Sequence, residues 1–209
     1  MRRPAATRRR PDRSKGDIRE AGLLDVAEAL LRAGNFEEAS ISEIAAAADI
    51  SRPTFYFYFA SKQALLARLI QSRVDQLIAL HWPAMGHRQD TPADDLRRTL
   101  HDVADMWIEH GVVFRTAAEL SGSAPEVFDR IVAVIEAVVD NRAELLVEAG
   151  STPEVADLAT ARETARTLLW MSERNFYVLS RRHGSEEEFH ALAERLYRIW
   201  ARVAGVDPS

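Results

Sequence analysis

Apolar residues recur every third or fourth position through almost the whole chain, the spacing of one helix face, and no segment sustains the alternation of a half-buried strand. Nine glycines and eight prolines punctuate long stretches of this pattern. The chain is therefore expected to be all-α, with about nine helices. The first is predicted over about 17–33, with Ile18, Leu23, Leu24, Ala27, Leu30 and Leu31 as its apolar stripe and Gly34-Asn35 as its end. Ser40-Ile-Ser-Glu43 reads as a capping box opening a short helix that carries Ile41, Ile44, Ala45 and Ala48. Ser51 is placed to cap the next helix, with Pro53 in its first turn, where a missing amide costs nothing.

Residues 55–59 read Phe-Tyr-Phe-Tyr-Phe, which propensity alone assigns to a strand. The segment nevertheless opens with a helix cap, has no visible partner strand, and is followed at Ser61 by another cap. A helix is the better reading, with Phe55 and Phe59 sharing the buried face. From about 61 to 82 a long helix keeps Leu65, Leu66, Leu69, Ile70, Val74, Leu77 and Ile78 on its inner side. A linker is predicted at 83–92, then helices at about 93–109, 111–121, 125–149, 153–182 and 186–204.

A composition of 47% hydrophobic and 28% charged residues suits a folded protein with a sizeable core. No apolar run approaches the roughly 18 to 20 residues of a membrane span, and the charged N-terminus lacks the apolar stretch of a signal peptide, so a cytoplasmic protein is expected. Cysteine is absent, which excludes disulfides, thiol catalysis and cysteine-ligated metals. The net charge of −5 is unevenly spread, because residues 1–16 hold seven basic side chains against Asp12. A basic arm on an acidic body fits contact with phosphate, and equally a solvated tail.

Three short helices, the last two separated by a tight turn at Asp49-Ile50-Ser51, make a helix-turn-helix, whose later helix lies in the major groove. The run Ser-Ile-Ser-Glu-Ile-Ala-Ala-Ala-Ala-Asp-Ile-Ser-Arg-Pro-Thr-Phe-Tyr-Phe-Tyr-Phe-Ala-Ser-Lys over 40–62 resembles the DNA-binding region of the TetR family of bacterial repressors. The likeness covers about residues 17–66 closely. The wording from Ser51 to Phe59, together with Met171-Ser-Glu-Arg174 and Ile199-Trp200, looks most like the ethionamide-resistance repressor subfamily. The resemblance implies a homodimer on a palindromic DNA operator, released when a small apolar effector enters the C-terminal body. The expected division is a disordered basic arm at 1–16, a helix-turn-helix DNA-binding domain at 17–62, a connecting helix at 63–82 and an effector-binding and dimerisation domain at 83–209.

Ser51, Arg52, Pro53, Thr54, Tyr56, Tyr58 and Lys62 are the candidate DNA-binding residues. A guanidinium at 52 can pair with guanine, and a threonine methyl at 54 can meet thymine. The Tyr56 and Tyr58 hydroxyls and the Lys62 ammonium suit the phosphate backbone, although either tyrosine could instead pack with its hydroxyl satisfied. Residues 17–62 hold four basic and eight acidic side chains, so the arm at 1–16 is expected to supply the missing positive charge.

In the C-terminal body the resemblance implies a tunnel lined by Leu100, Val103, Trp107, Phe114, Val138, Leu169, Ser172, Tyr177 and Trp200, where periodicity alone shows only core packing. The subfamily has asparagines where Leu169 and Ser172 stand, and tryptophans where the 125–149 helix is aliphatic, so a different, more apolar effector is expected. Glu173 and Arg174 fit a structural or interface ion pair better than a ligand contact. The last two helices are expected to form the dimer bundle.

An enzyme is disfavoured. There is no glycine-rich phosphate loop or His-Glu-x-x-His pattern, and His81, His87, His101, His110, His183 and His190 lack ligand spacing and read as surface or linker residues. No cofactor or metal is expected. An activator, or a DNA-binding protein without a ligand, is the alternative to a repressor.

Overall fold

The computed structural model describes residues 15–81, 91–150 and 152–207. Its helices are α1 (Lys15–Arg32), α2 (Ile41–Ala47), α3 (Arg52–Tyr58), α4 (Lys62–His81), α5 (Pro92–Leu120), α6 (Pro125–Ala149), α7 (Leu158–Arg181) and α8 (Glu186–Ala204). No strand occurs among the described residues. Residues 1–14 of the basic arm and 82–90 of the linker lie outside them.

Local chemistry explains most of the boundaries. Ser40 and Glu43 form the reciprocal capping box of α2, and the Ser51 hydroxyl accepts the Thr54 N–H at the start of α3. Between them the chain reverses through a left-handed Asp49 (φ 53°). The Asp49 N–H donates to the Ala46 carbonyl and the Ile50 N–H to that of Ala45. This Schellman closure satisfies the free carbonyls of α2 and aims α3 across it.

Two expectations are corrected. The helices placed at 93–109 and 111–121 are one, α5, and among the described residues there are eight α-helices against the nine or so expected. Gly111 does not break the helix. A Cβ there would stand 3.0 Å from Ser180 Oγ, so the glycine serves the close approach of α7 to α5. The helix expected from 153 begins instead at Leu158: Pro153–Val155 make a single 3₁₀ turn, and the Asp157 carboxylate accepts the Ala159 and Thr160 N–H groups as the true cap.

Apolar burial proceeds in two connected cores. One gathers Leu23, Ala27, Ile44, Phe55, Leu65 and Leu69 from α1–α4 and closes on Val113 and Val127 of α5 and α6. The other fills the space among α5, α6, α7 and α8 around Phe176, Leu196 and Trp200. Ile18, assigned to the stripe of α1, is instead 58% exposed. Because α5 and α6 contribute to the first core, the N-terminal unit sits on the body through apolar contact, not through a linker alone.

Candidate functional site

The outward face of α3 is set by what its inward face must bury. Phe55 is fully buried and Phe59 nearly so, with ring centroids 5.9 Å apart. A seven-residue helix so anchored turns Arg52, Pro53, Tyr56 and Phe57 to solvent. The Arg52 guanidinium lies along the Tyr56 ring, 5.7 Å from its centroid and 3.5 Å from its hydroxyl, an i,i+4 pairing that extends the arginine over the helix. The hydroxyls of Ser51 and Thr54 are 2.8 Å apart and occupied at the cap. Tyr58 is only partly exposed and packs on the N-terminal core. Phe57, at 82% exposure, is the most open aromatic on this face and stands outside the candidate set expected from the sequence. Its signal was register, since 57 lies opposite the buried pair 55 and 59.

Lys62 departs from its expected role. Its ammonium donates to the carbonyls of Phe36 (3.1 Å), Glu37 (2.7 Å) and Ala39 (3.0 Å) and stands over the Phe36 ring. All three N–H donors are thereby used to close the turn between α1 and α2, which leaves no donor for a phosphate. The physical reason is that three carbonyls of the segment between α1 and α2 converge where α4 begins.

The second feature is a cavity of about 180 Å³ within the helical body. Of the nine expected lining residues, Leu100, Val103, Trp107, Phe114, Val138, Leu169, Ser172 and Trp200 border it. Tyr177 does not; it is partly buried against the core of the helical body, with the Arg174 guanidinium over its ring 4.8 Å from the centroid. Ser172 lines the wall with its hydroxyl already engaged, donating to the Leu168 carbonyl and accepting the Trp200 indole N–H at 3.1 Å. Ile70 and Val74 bring α4 to the same cavity, which no resemblance had suggested.

Two charged side chains also reach the wall. Arg142 is nine-tenths buried and donates to Thr99 Oγ1 at 3.2 Å, with Asp95 4.0 Å away. Glu173 and Arg174 form the expected ion pair, but loosely: Glu173 Oε2 stands 3.8 Å from Arg174 Nε, within ion-pair range and beyond hydrogen-bond reach. Burial pushes its carboxyl up from the ordinary glutamate range, with Arg174 opposing weakly. A legible signal existed for both: each charge occupies an inward register, Arg142 four residues after Val138 and Glu173 four residues after Leu169.

Between the two features lies a polar junction. Glu28 of α1 is buried, with Arg73 of α4 donating to it from Nε at 2.8 Å, Arg32 at 2.7 Å, and His110 Nδ1 of α5 at 2.6 Å. His110 is therefore an interior partner and not the surface residue expected. Burial acts to raise the Glu28 carboxyl, but the hydrogen bonds and charges of His110 and Arg73 outweigh it and hold it below the usual value.

A capped helix-turn-helix with an arginine and aromatics on its outer face, seated on a separate helical body, defines a DNA-binding transcriptional regulator. Residues 23–69 match the family described as bacterial regulatory proteins, tetR family. The chain is 31% identical over 166 residues to the HTH-type transcriptional regulator EthR of Mycolicibacterium smegmatis, covering 79% of this chain and 76% of that protein. In fold it is similar to a TetR-family regulator from Syntrophomonas wolfei (TM-score 0.72, 15% identity, 91% of this chain and 97% of that one). It is likewise similar to the regulator FadR of Bacillus subtilis, solved in complex with stearoyl-CoA (TM-score 0.68, 17% identity, 90% and 98%). The chain belongs to the TetR family of transcriptional regulators. No helix among the described residues is long and apolar enough to cross a membrane.

Proposed function

We propose that the protein is a repressor that binds a palindromic operator as a homodimer and leaves it when a small apolar molecule enters the cavity. The observation that carries this reading is the path of α4. It starts at Lys62, which ties down the turn before α2, and eight and twelve residues later Ile70 and Val74 form part of the cavity wall. One helix thus spans the DNA-reading unit and the internal space. Two half-sites one turn apart, about 34 Å, tolerate little change in the separation of paired α3 helices. A ligand that favours a tilted α4 by about 1.4 kcal/mol shifts the ratio of the two states tenfold. Exposed Val178 and Ile199 on α7 and α8 support a dimer contact through those helices. That FadR of Bacillus subtilis, similar in fold, was solved in complex with stearoyl-CoA supports an apolar effector.

Filling the cavity from within tests the reading. Val138→Trp is expected to lower affinity for the DNA upstream of the chain's own gene at least about tenfold, measured by fluorescence anisotropy, with the helical circular dichroism spectrum retained. The small hydrocarbon propylbenzene, added to the parent protein, is expected to act in the same direction. Arg52→Ala is expected to relax sequence preference by about 1 to 3 kcal/mol per half-site. Operator affinity unmoved by both the filled cavity and the hydrocarbon would remove the sensor reading. Run-off transcription from the same DNA separates repression from activation.

A further inference from the structure

The cavity wall is apolar except for a few groups, and all of these but one are held by a hydrogen bond, although the Nε of Arg142 itself makes none. The Ser172 hydroxyl is shared between Leu168 and Trp200. Thr99 donates to the Asp95 carbonyl and accepts from Arg142, whose guanidinium in turn faces the Asp95 carboxylate. The exception is Glu173. Its side chain is 18% exposed, and its Oε2 is buried with no hydrogen-bond partner. The adjacent Arg174 is drawn outward onto the Tyr177 ring and is more than half exposed, so solvent screens its charge.

We propose that the effector is an apolar molecule carrying one basic amine, whose ammonium group is received by the Glu173 carboxylate. The inference rests on the reading of the cavity as an effector site. A buried carboxylate is costly unless a hydrogen-bond donor and an opposite charge meet it, and an ammonium group provides both at once. A hydroxyl would give the hydrogen bond and leave the charge uncompensated. A carboxylate or phosphate would add like charge beside Glu173, while Arg142, the cation on the wall among the described residues, already has Thr99 and Asp95. Burial displaces the Glu173 carboxyl upward by opposing its ionisation, and a cation received beside it would act in the opposite direction.

Volume limits the remainder of the molecule. An apolar cavity of about 150 Å³ holds benzene, so 180 Å³ suits a phenyl ring or a short alkyl chain with its amine. Trp107 and Phe114, with ring centroids 5.3 Å apart, and Trp200 offer aromatic faces to such a cation or ring.

Three probes of nearly equal shape separate the possibilities: phenethylamine, propylbenzene and 3-phenylpropanoate, titrated calorimetrically into the full chain and into Glu173→Gln. Glutamine keeps the size of the side chain and removes its charge. Phenethylamine is expected to bind the parent and to lose at least about tenfold more affinity than propylbenzene does on the substitution, in line with a charge-assisted hydrogen bond. The carboxylate probe is expected to bind the parent most weakly and to gain on Glu173→Gln. Phenethylamine binding that is indifferent to Glu173→Gln, or absent while propylbenzene binds, overturns the amine and leaves the sensor reading standing. Failure of all three probes to bind overturns both.

Discussion

A lysine just after an aromatic recognition segment invites a phosphate contact, yet the Lys62 ammonium points back into the protein. The three carbonyls it reaches lie 23 to 26 residues earlier in the chain, and no local pattern encodes such a convergence. Arg52 and Tyr56 were readable because their pairing is local, set by helical spacing and a cap. Lys62→Met retains the stem of the side chain and deletes the donors. It is expected to destabilise the fold by roughly 1 to 3 kcal/mol, since partly buried carbonyls lose a charged partner. In a chain of this size, each kcal/mol lowers Tm by about 2 to 4 °C. The salt dependence of operator binding is expected to keep its slope. A slope reduced by about 0.9 with Tm unchanged would return Lys62 to the phosphate backbone.

Helices were legible where the chain announces its ends. Ser40 with Glu43, Ser51 and Ser61 all act as caps, and periodicity assigned Phe55 and Phe59 to the core over their strand propensity. Glycine was the unreliable mark, because the same residue ends helices, permits close packing or does neither. Gly34 ends α1 with φ 75°, whereas Gly111 sits inside α5 against Ser180. Substitution to alanine separates the remaining cases. Gly22 lies within α1 with nothing near its missing side chain, so Gly22→Ala is expected to stabilise by about 0.5 to 1 kcal/mol through helix propensity. At Gly150 a Cβ would stand 2.6 Å from the Leu146 carbonyl oxygen and 2.7 Å from that of Ala204. Neither backbone can yield without parting the ends of α6 and α8, so Gly150→Ala is expected to destabilise by about 1 to 3 kcal/mol. Opposite shifts in urea midpoint would bear this out; equal shifts would mean that helix propensity, not close approach, governs both sites.

At the scale of the molecule, the division into a reading unit and a helical body was legible, and so were eight residues of the cavity wall through family likeness. The junction between the halves was not, because it unites α1, α4 and α5 through residues up to 82 positions apart. Glu28 is its centre. Since its carboxyl is held below the usual value of 4.5 in the folded protein, the tie contributes stability above the unfolded value and loses it as pH falls through the lowered one. Glu43, Asp94, Glu136, Asp157 and Glu194 are displaced downward as well, so acid destabilisation of the parent is composite. Comparison with Glu28→Gln isolates the junction. The amide keeps the shape but offers Arg73, Arg32 and His110 no charge, and at neutral pH it is expected to cost roughly 1 to 3 kcal/mol. The gap between parent and variant is expected to hold from neutrality down to about pH 5 and to narrow steadily below the ordinary glutamate value, because the parent carboxyl is then neutralised as well. Thermal denaturation of both proteins from pH 7 to pH 3 follows that gap directly. If it stays constant over the whole range, the substitution acts through shape, and Glu28 does not hold the two halves together by its charge.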